Sequence, residues 1–340
     1  MTGEHASAAP VPRSVGCGAA RRSFDLLRAE NKGGSESTVT VLVAFTANLL
    51  VAAAKSIAAL LTGSASMLAE AAHSWADAGN EIFLLIADQR SRRAPDREHP
   101  FGHGREAYVW SLFAALGVLI AGAAVSIVRG VQGLITPEPA EKFTIAYAVL
   151  AVSFVLEGIS FRQSIRQTKP EAESMHRDLI DHVLATSDPT LRAVVAEDAA
   201  ALVGLVIAAA ALAIDQLGGS GIADAAGSIV IGILLGVVAI ILINRNRRFL
   251  VGQTADPNVR SAVVQALLDD PEVARVTHLW LEIVGPRSLM IVGDVDLTGD
   301  DVESHVAVRL RELEARLTTS PSVAGAVLSL SAPDEPSLMP

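Results

Sequence analysis

Six stretches of this chain are each apolar for about twenty residues, the length a helix needs to cross roughly 30 Å of hydrocarbon. They run over Val39–Leu61, Met67–Ala87, Val109–Ile135, Phe143–Phe161, Leu191–Leu212 and Ala223–Ile243. A 340-residue chain that is 51% hydrophobic and built this way is too apolar for an ordinary soluble enzyme. The pattern predicts a polytopic α-helical membrane protein. Short breaks separate the spans: Thr62-Gly63-Ser64, the basic stretch Arg90 to Arg105, Thr136-Pro137-Glu138-Pro139, the polar run Arg162 to Asp188, and Gly218 to Gly221. The fifth span opens on Asp188-Pro189, a capping carboxylate followed by proline at the first helical position.

Basic residues set the expected orientation. Arg13, Arg21, Arg22, Arg28 and Lys32 precede the first span. Arg90, Arg92, Arg93, Arg97 and Arg105 follow the second, Arg162, Arg166, Lys169 and Arg177 the fourth, and Arg245, Arg247 and Arg248 the sixth. The opposite loops have only Arg129 and Lys142 near their ends. Positive charge stays on the cytoplasmic side, so both termini are expected there. Residues 1–36 lack the continuous apolar segment of a cleaved secretory signal and read as a disordered cytoplasmic arm. Cys17 is the single cysteine, which excludes an intramolecular disulfide and a cysteine-rich zinc site.

The composition becomes that of a small soluble domain after residue 248. Asp256-Pro257 caps a helix through Leu268, and Val273–Val284 and Leu289–Leu297 alternate like strands about Gly285-Pro286-Arg287. Val302, Val306, Leu310, Leu313 and Leu317 mark one face of a second helix, and Val323–Leu330 reads as a final strand. The expected organisation is an arm (1–36), a six-helix transmembrane domain (37–248), a cytoplasmic α+β domain (249–332) and a tail (333–340). From Phe249 onward fourteen acidic residues face six basic ones, a net −8 of the chain's −10, and that field gathers cations.

Ionised groups are rare inside such spans, because each costs on the order of 2.5–3.5 kcal/mol at the middle of a membrane helix. The second span nevertheless reads Glu70-Ala-Ala-His73-Ser-Trp-Ala-Asp77-Ala-Gly-Asn80-Glu81. These polar residues follow a spacing of three to four and share one helical face. His73 and Asp77 lie roughly 6 Å apart along the axis, an imidazole and a carboxylate suited to a divalent cation. The fifth span adds Glu197 and Asp198, which point about 100° apart, so one is the expected ligand, Asp198 before Glu197, and the other its support. Zinc accepts such nitrogen and oxygen donors in tetrahedral geometry, and manganese, cobalt or iron bind many of the same groups. The ligands bind metal only when deprotonated, so protons compete for the site and exchange follows as a mechanism. Lys55 in the first span is a lone cation, either a counter-charge for a carboxylate such as Glu70 or a snorkelling side chain.

Two further clusters are candidates. Asp96, His99 and His103 fall within eight residues of the loop after the second span, with Gly102 and Gly104 permitting a tight path. In the soluble domain His278, Asp294 and His305 fall on strand, strand and helix.

At these residues the chain resembles the cation diffusion facilitators. The resemblance covers roughly Ser37 to Leu330. It rests on His73-x-x-x-Asp77 in the second of six spans, the loop His99-Pro-Phe-Gly-His103-Gly-Arg105, Asp224 opening the sixth span, and Gly252-Gln-Thr-Ala-Asp-Pro257 after it. It implies six transmembrane helices followed by a small ferredoxin-like, metallochaperone-like cytoplasmic domain, and a homodimer in the bilayer. The implied activity is expulsion of zinc or a similar divalent cation in exchange for protons, by alternating access. His73 and Asp77 carry over as transport-site ligands, and Asp96, His99 and His103 match the loop site of some members. The fifth span departs from the usual pattern, a His or Asp followed four residues later by Asp. Asp198 occupies the first of those positions and Leu202 the second, so the chain resembles the branch with Glu-Asp in that helix. In the soluble domain His278 and His305 match ligand positions, Asp294 stands where His is common, and the last strand has no evident ligand.

The expected function is therefore proton-coupled efflux of a divalent cation, zinc first and manganese, iron or cobalt next. The cation is the substrate, and no organic cofactor or nucleic acid is implied. A non-transporting metal-sensing membrane scaffold of the same fold is the competing reading. An intramembrane metalloenzyme is disfavoured, since no His-Glu-x-x-His occurs. A bacterial plasma membrane is the expected location.

Overall fold

The computed structural model describes residues 38–175 and 177–339, so the amino-terminal arm and Cys17 lie outside the described residues. Helix α1 (Thr38–Thr62) turns at Gly63, whose φ of +66° suits glycine, into α2 (Ala65–Ser91). The third span runs as α3 (Glu106–Gly117), a π-helical stretch Val118–Ala124 and α4 (Val125–Ile135). Then follow α5 (Phe143–Ser174), the short α6 (Leu179–Ala185), α7 (Pro189–Gly218) and α8 (Ile222–Val251). Asp188 caps α7 as its sequence suggests, accepting from the backbone N–H groups of Thr190 (3.0 Å) and Leu191 (3.2 Å).

Five spans, Phe45–Thr62, Glu106–Ile135, Phe143–Glu173, Pro189–Gly218 and Ile222–Val251, are long and apolar enough to cross a membrane. Helix α2 has the length, at 27 residues, but carries Glu70, Asp77, Glu81, Asp88 and Arg90. It belongs in the bundle because its ionisable face turns inward: Glu70 and His73 are buried, as is Asn80. The core around it is built from small and aliphatic residues of several helices, including Ala58, Met67, Leu150, Leu205, Leu212 and Ile231. Helices α4 and α8 approach closely, since a Cβ on Gly130 would lie 2.7 Å from the Ala225 carbonyl oxygen.

One element departs from expectation. The polar run after Phe161 was expected to break the fourth span, yet α5 continues to Ser174. Apolarity ends near Phe161, but Arg162-Gln163-Ser164-Ile165-Arg166-Gln167 are adequate helix formers, so the helix outlasts its hydrophobic part.

The carboxy-terminal region forms a four-stranded sheet in the order β1-β2-β3-β4, from β1 (Gln253–Thr254), β2 (Val273–Gly285), β3 (Ser288–Leu297) and β4 (Val323–Leu330), with helices α9 (Pro257–Leu268) and α10 (Glu303–Thr318). This is the expected α+β succession plus the short β1, which pairs antiparallel with β2 through Gln253↔Ile283 and Thr254↔Glu282. Val264, Leu267, Val276, Ile291, Val295 and Leu313 form its interior. Two compact units result. One holds the membrane helices, residues up to Thr254 and the hairpin tip Glu282–Met290; the other holds Ala255–Leu281 and the chain from Ile291 onward.

Candidate metal site

Helix α2 is anchored at its amino terminus before its polar face begins. Ser64 caps it, its hydroxyl accepting from Met67 N–H at 3.0 Å. The buried Asp224 carboxylate at the start of α8 accepts from Ser64 Oγ (2.8 Å), the N–H groups of Ala65 and Ser66, and Ser66 Oγ. A negative charge at this helix end is favoured by the macrodipole. That anchoring fixes the rotation of the stripe Glu70, His73, Asp77, Asn80 and Glu81.

His73 Nδ1 lies 3.3 Å from Asp77 Oδ1, one turn apart as the spacing predicts. The imidazole is buried, and neither of its nitrogens has a hydrogen-bond partner among the described residues. Glu197 of α7 is also buried; one oxygen accepts from Asn80 Nδ2 and the other is unpartnered. Asp198 turns toward α5, where its Oδ2 accepts from Ser160 Oγ (3.0 Å) and Ser164 Oγ (3.2 Å). Asp77, Glu197 and Asp198 line one cavity of about 70 Å3, together with Asn48, Asn80, Glu81, Glu157 and Ser160. His73 stands behind Asp77 rather than on the cavity wall.

Glu197 and Asp198 both face this space although they point about 100° apart on α7. The cavity lies between α2 and α5, so Glu197 reaches toward Asn80 while Asp198 reaches toward Ser160 and Ser164. Glu157 of α5 is absent from the sequence-based set. Its signal was the one used for His73 and Asp77, a carboxylate within an apolar span. Lys55, fully buried on α1, places its ammonium 3.1 Å from Glu70 Oε2 and 3.8 Å from Glu157 Oε1. The pairing with Glu70 selects the counter-charge reading over snorkelling.

The loop cluster closes on itself. Asp96 Oδ1 accepts from the N–H groups of Glu98 (2.9 Å) and His99 (2.7 Å) and lies 3.2 Å from His99 Nδ1; its Oδ2 lies 3.0 Å from His103 Nε2. The two imidazole centroids are 4.1 Å apart, and Gly102 with φ +79° makes the turn. The hydrogen bond to His103, then those to the His99 and Glu98 backbone, hold the Asp96 carboxyl well below the usual carboxylate range. Among the described residues, Asp96, His99 and His103 are the one set of three or more acidic or imidazole side chains whose ligand atoms all lie within 4.8 Å of one another. His278, Asp294 and His305 form no such set: His278 packs edge-on to Trp280, with centroids 4.6 Å apart, and His305 is exposed at the start of α10.

Residues 41–251 match the family model described as the cation efflux transmembrane domain. Over 269 residues the chain is 38% identical to metal tolerance protein C4 of Arabidopsis thaliana, covering 79% of this chain and 59% of that protein. It is 34% identical over 259 residues to the mitochondrial proton-coupled zinc antiporter SLC30A9 of Xenopus laevis, covering 76% and 46%. It is 25% identical over 280 residues to the manganese efflux system protein MneP of Bacillus subtilis, covering 79% and 89%. The chain thus spans only about half the length of the first two relatives.

Proposed function

This chain belongs to the cation diffusion facilitator family, and on that premise we propose that it exports a divalent metal cation, zinc first, in exchange for protons. The observation that carries the reading is the cavity lined by Asp77, Glu197 and Asp198 between α1, α2, α5 and α7, beside which Asp77 Oδ1 and Glu197 Oε1 have no hydrogen-bond partner among the described residues. Buried polar atoms are normally satisfied, so unpartnered ones on residues that line a cavity suit a visiting ligand. Asp77 on the cavity wall is the proposed first ligand, joined by Glu197 or Asp198, with His73, 3.3 Å from Asp77 Oδ1, turning to the cation beside it. A cation neutralises carboxylates that otherwise repel one another, and protons do the same in its absence, which makes the two natural counter-substrates. The relative named as a proton-coupled zinc antiporter supports both halves of this exchange.

A second reading, manganese as cargo, is favoured by the donor set. The cavity wall is rich in carboxylate and amide oxygens, from Asn48, Glu157 and Asn80 as well as the acids above, and oxygen donors suit the harder ion. The relative named as a manganese efflux protein points the same way. We further propose that Asp96, His99 and His103 hold a second cation in the loop, and that the chain works as a homodimer. We also propose a bacterial plasma membrane with both termini cytoplasmic, an orientation supported by the arginines of the loop after α2 and of the last turns of α8.

Reconstitution of the purified chain in proteoliposomes with enclosed metal and pH indicators tests the reading. Zn2+ or Mn2+ uptake with opposite proton flux is expected. Asp77→Ala should reduce it by about two orders of magnitude, on the scale of losing a ligand interaction, with the protein still folded. Unchanged uptake in Asp77→Ala, or a chain that binds metal without moving it, overturns the assignment.

A further inference from the structure

Lys55 has no place in a ligand set, yet it is fully buried beside one. Its Nζ donates to Glu70 Oε2 at 3.1 Å. Glu157 Oε1 lies 3.8 Å away, attracted by the charge but outside hydrogen-bond distance. The same Glu157 lines the cation cavity with Asp77, Glu197 and Asp198. One carboxylate is therefore shared between a fixed ammonium on one side and the cation space on the other. Glu70 is held differently, with Oε1 against Gly204 of α7, where a Cβ would come within 2.5 Å of that oxygen. Glu70 is the nearer partner of the ammonium, and Glu157 the farther one that also borders the cavity.

We propose that Lys55 is a tethered competitor of the transported cation, holding Glu157 when the cation has left and yielding it when the cation arrives. The inference rests on the transport reading given above and deepens it. An ammonium and a divalent ion offer Glu157 the same kind of attraction, and the divalent ion offers twice the charge. While Glu157 leans toward Lys55, fewer like charges confront one another across the cavity. When a cation enters, Glu157 turns to it and Lys55 keeps Glu70. Part of the binding free energy is thereby spent on breaking an internal pair, which weakens affinity and speeds release.

The test is a double-mutant cycle on full-length, detergent-purified protein, with Zn2+ and Mn2+ binding measured by titration calorimetry at one fixed pH. Lys55→Met alone leaves Glu70 as an uncompensated buried charge that would itself attract metal and threaten folding, so Lys55→Met/Glu70→Met carries the test. That double variant should bind the metal about tenfold tighter, within the usual range of coupling between contacting groups. The gain should vanish in the Glu157→Gln background, and Lys55→Arg should restore the weaker affinity. In proteoliposomes the tighter-binding variant should turn over more slowly at saturating metal. A gain under threefold, or an equal gain with Glu157→Gln, overturns the role of Lys55. An unmodified chain that moves neither metal sinks the transport reading instead, so the two failures are distinct.

Discussion

Helix α2 meets buried carboxylates at two places, and they are treated in opposite ways. At its amino terminus Asp224 accepts four hydrogen bonds, from two hydroxyls and two backbone N–H groups. Midway along, Asp77 and Glu197 each keep an oxygen without a hydrogen bond, and so do both His73 nitrogens, one of them 3.3 Å from Asp77 Oδ1. Both regions hold carboxylates within the helix bundle, so position in the bundle alone separates nothing. What separates them is satisfaction: a fully bonded carboxylate has nothing left to offer a ligand, and an incompletely bonded one beside a cavity keeps lone pairs for one.

The comparison predicts opposite outcomes for two similar substitutions. Asp224→Ala removes the acceptor for four donors and strands them in a buried site, a loss of about 3 kcal/mol or more. Its thermal unfolding midpoint in detergent should fall steeply or the protein should fail to fold. Asp77→Ala removes a charge that had no complete set of partners, so its midpoint should hold or rise while transport disappears. If Asp224→Ala proves as stable as the unmodified chain, satisfaction is not what distinguishes the two sites.

A smaller effect is expected where the helices touch. Gly204 of α7 leaves room for Glu70, and Gly204→Ala would put a methyl group 2.5 Å from Glu70 Oε1 and 3.6 Å from its Cδ. The carboxylate is paired with Lys55 and cannot retreat freely, so overpacking should cost about 1–2 kcal/mol in the same unfolding measurement. The increment due to Gly204→Ala should shrink when it is measured in a Lys55→Met/Glu70→Ala background, where the obstructing oxygen and the ammonium it pairs are both gone. An equal increment in both backgrounds would place the strain elsewhere.

Much of this was readable in the linear chain, for definable reasons. Long apolar runs reveal spans, and the three-to-four spacing of Glu70, His73, Asp77 and Asn80 reveals one polar face, because both signals are local. The soluble domain's strands and helices follow from equally local alternation and caps. Glu157 is not legible in the chain alone, because a single carboxylate near the end of the span Phe143–Phe161 has no periodic partner; only the neighbouring α1, α2 and α7 make it a wall of the cavity. The same limit applies to Glu197 and Asp198. Their divergence on α7 is legible, but that the space between α2 and α5 accepts both is a property of three helices together. Asp224 was legible as a motif position, whereas its use as a cap for a helix some 160 residues earlier depends on tertiary contact.

His182 offers the finest test, because it is an unpartnered imidazole away from the cavity. It sits on α6, buried, with both ring nitrogens lacking hydrogen-bond partners and Nε2 3.7 Å from Glu171 Oε1. Burial, then the nearby Arg177 and Arg287 charges, push its pKa below the ordinary imidazole value. The unfolded chain therefore binds a proton more readily than the folded one. Its contribution to stability is full above an unfolded value of about 6.5 and declines as pH falls toward the lowered folded value. His182→Gln should remove that slope, so that the unfolding midpoint of the variant changes less than that of the unmodified chain between neutral and mildly acid pH. Transport should stay within about twofold, since the side chain touches no cavity group and distant sites act independently. Should transport collapse in His182→Gln while stability holds, an unsatisfied imidazole would matter even outside the cavity, and the contrast drawn along α2 would have to rest on lone pairs wherever they lie rather than on those that face the cation.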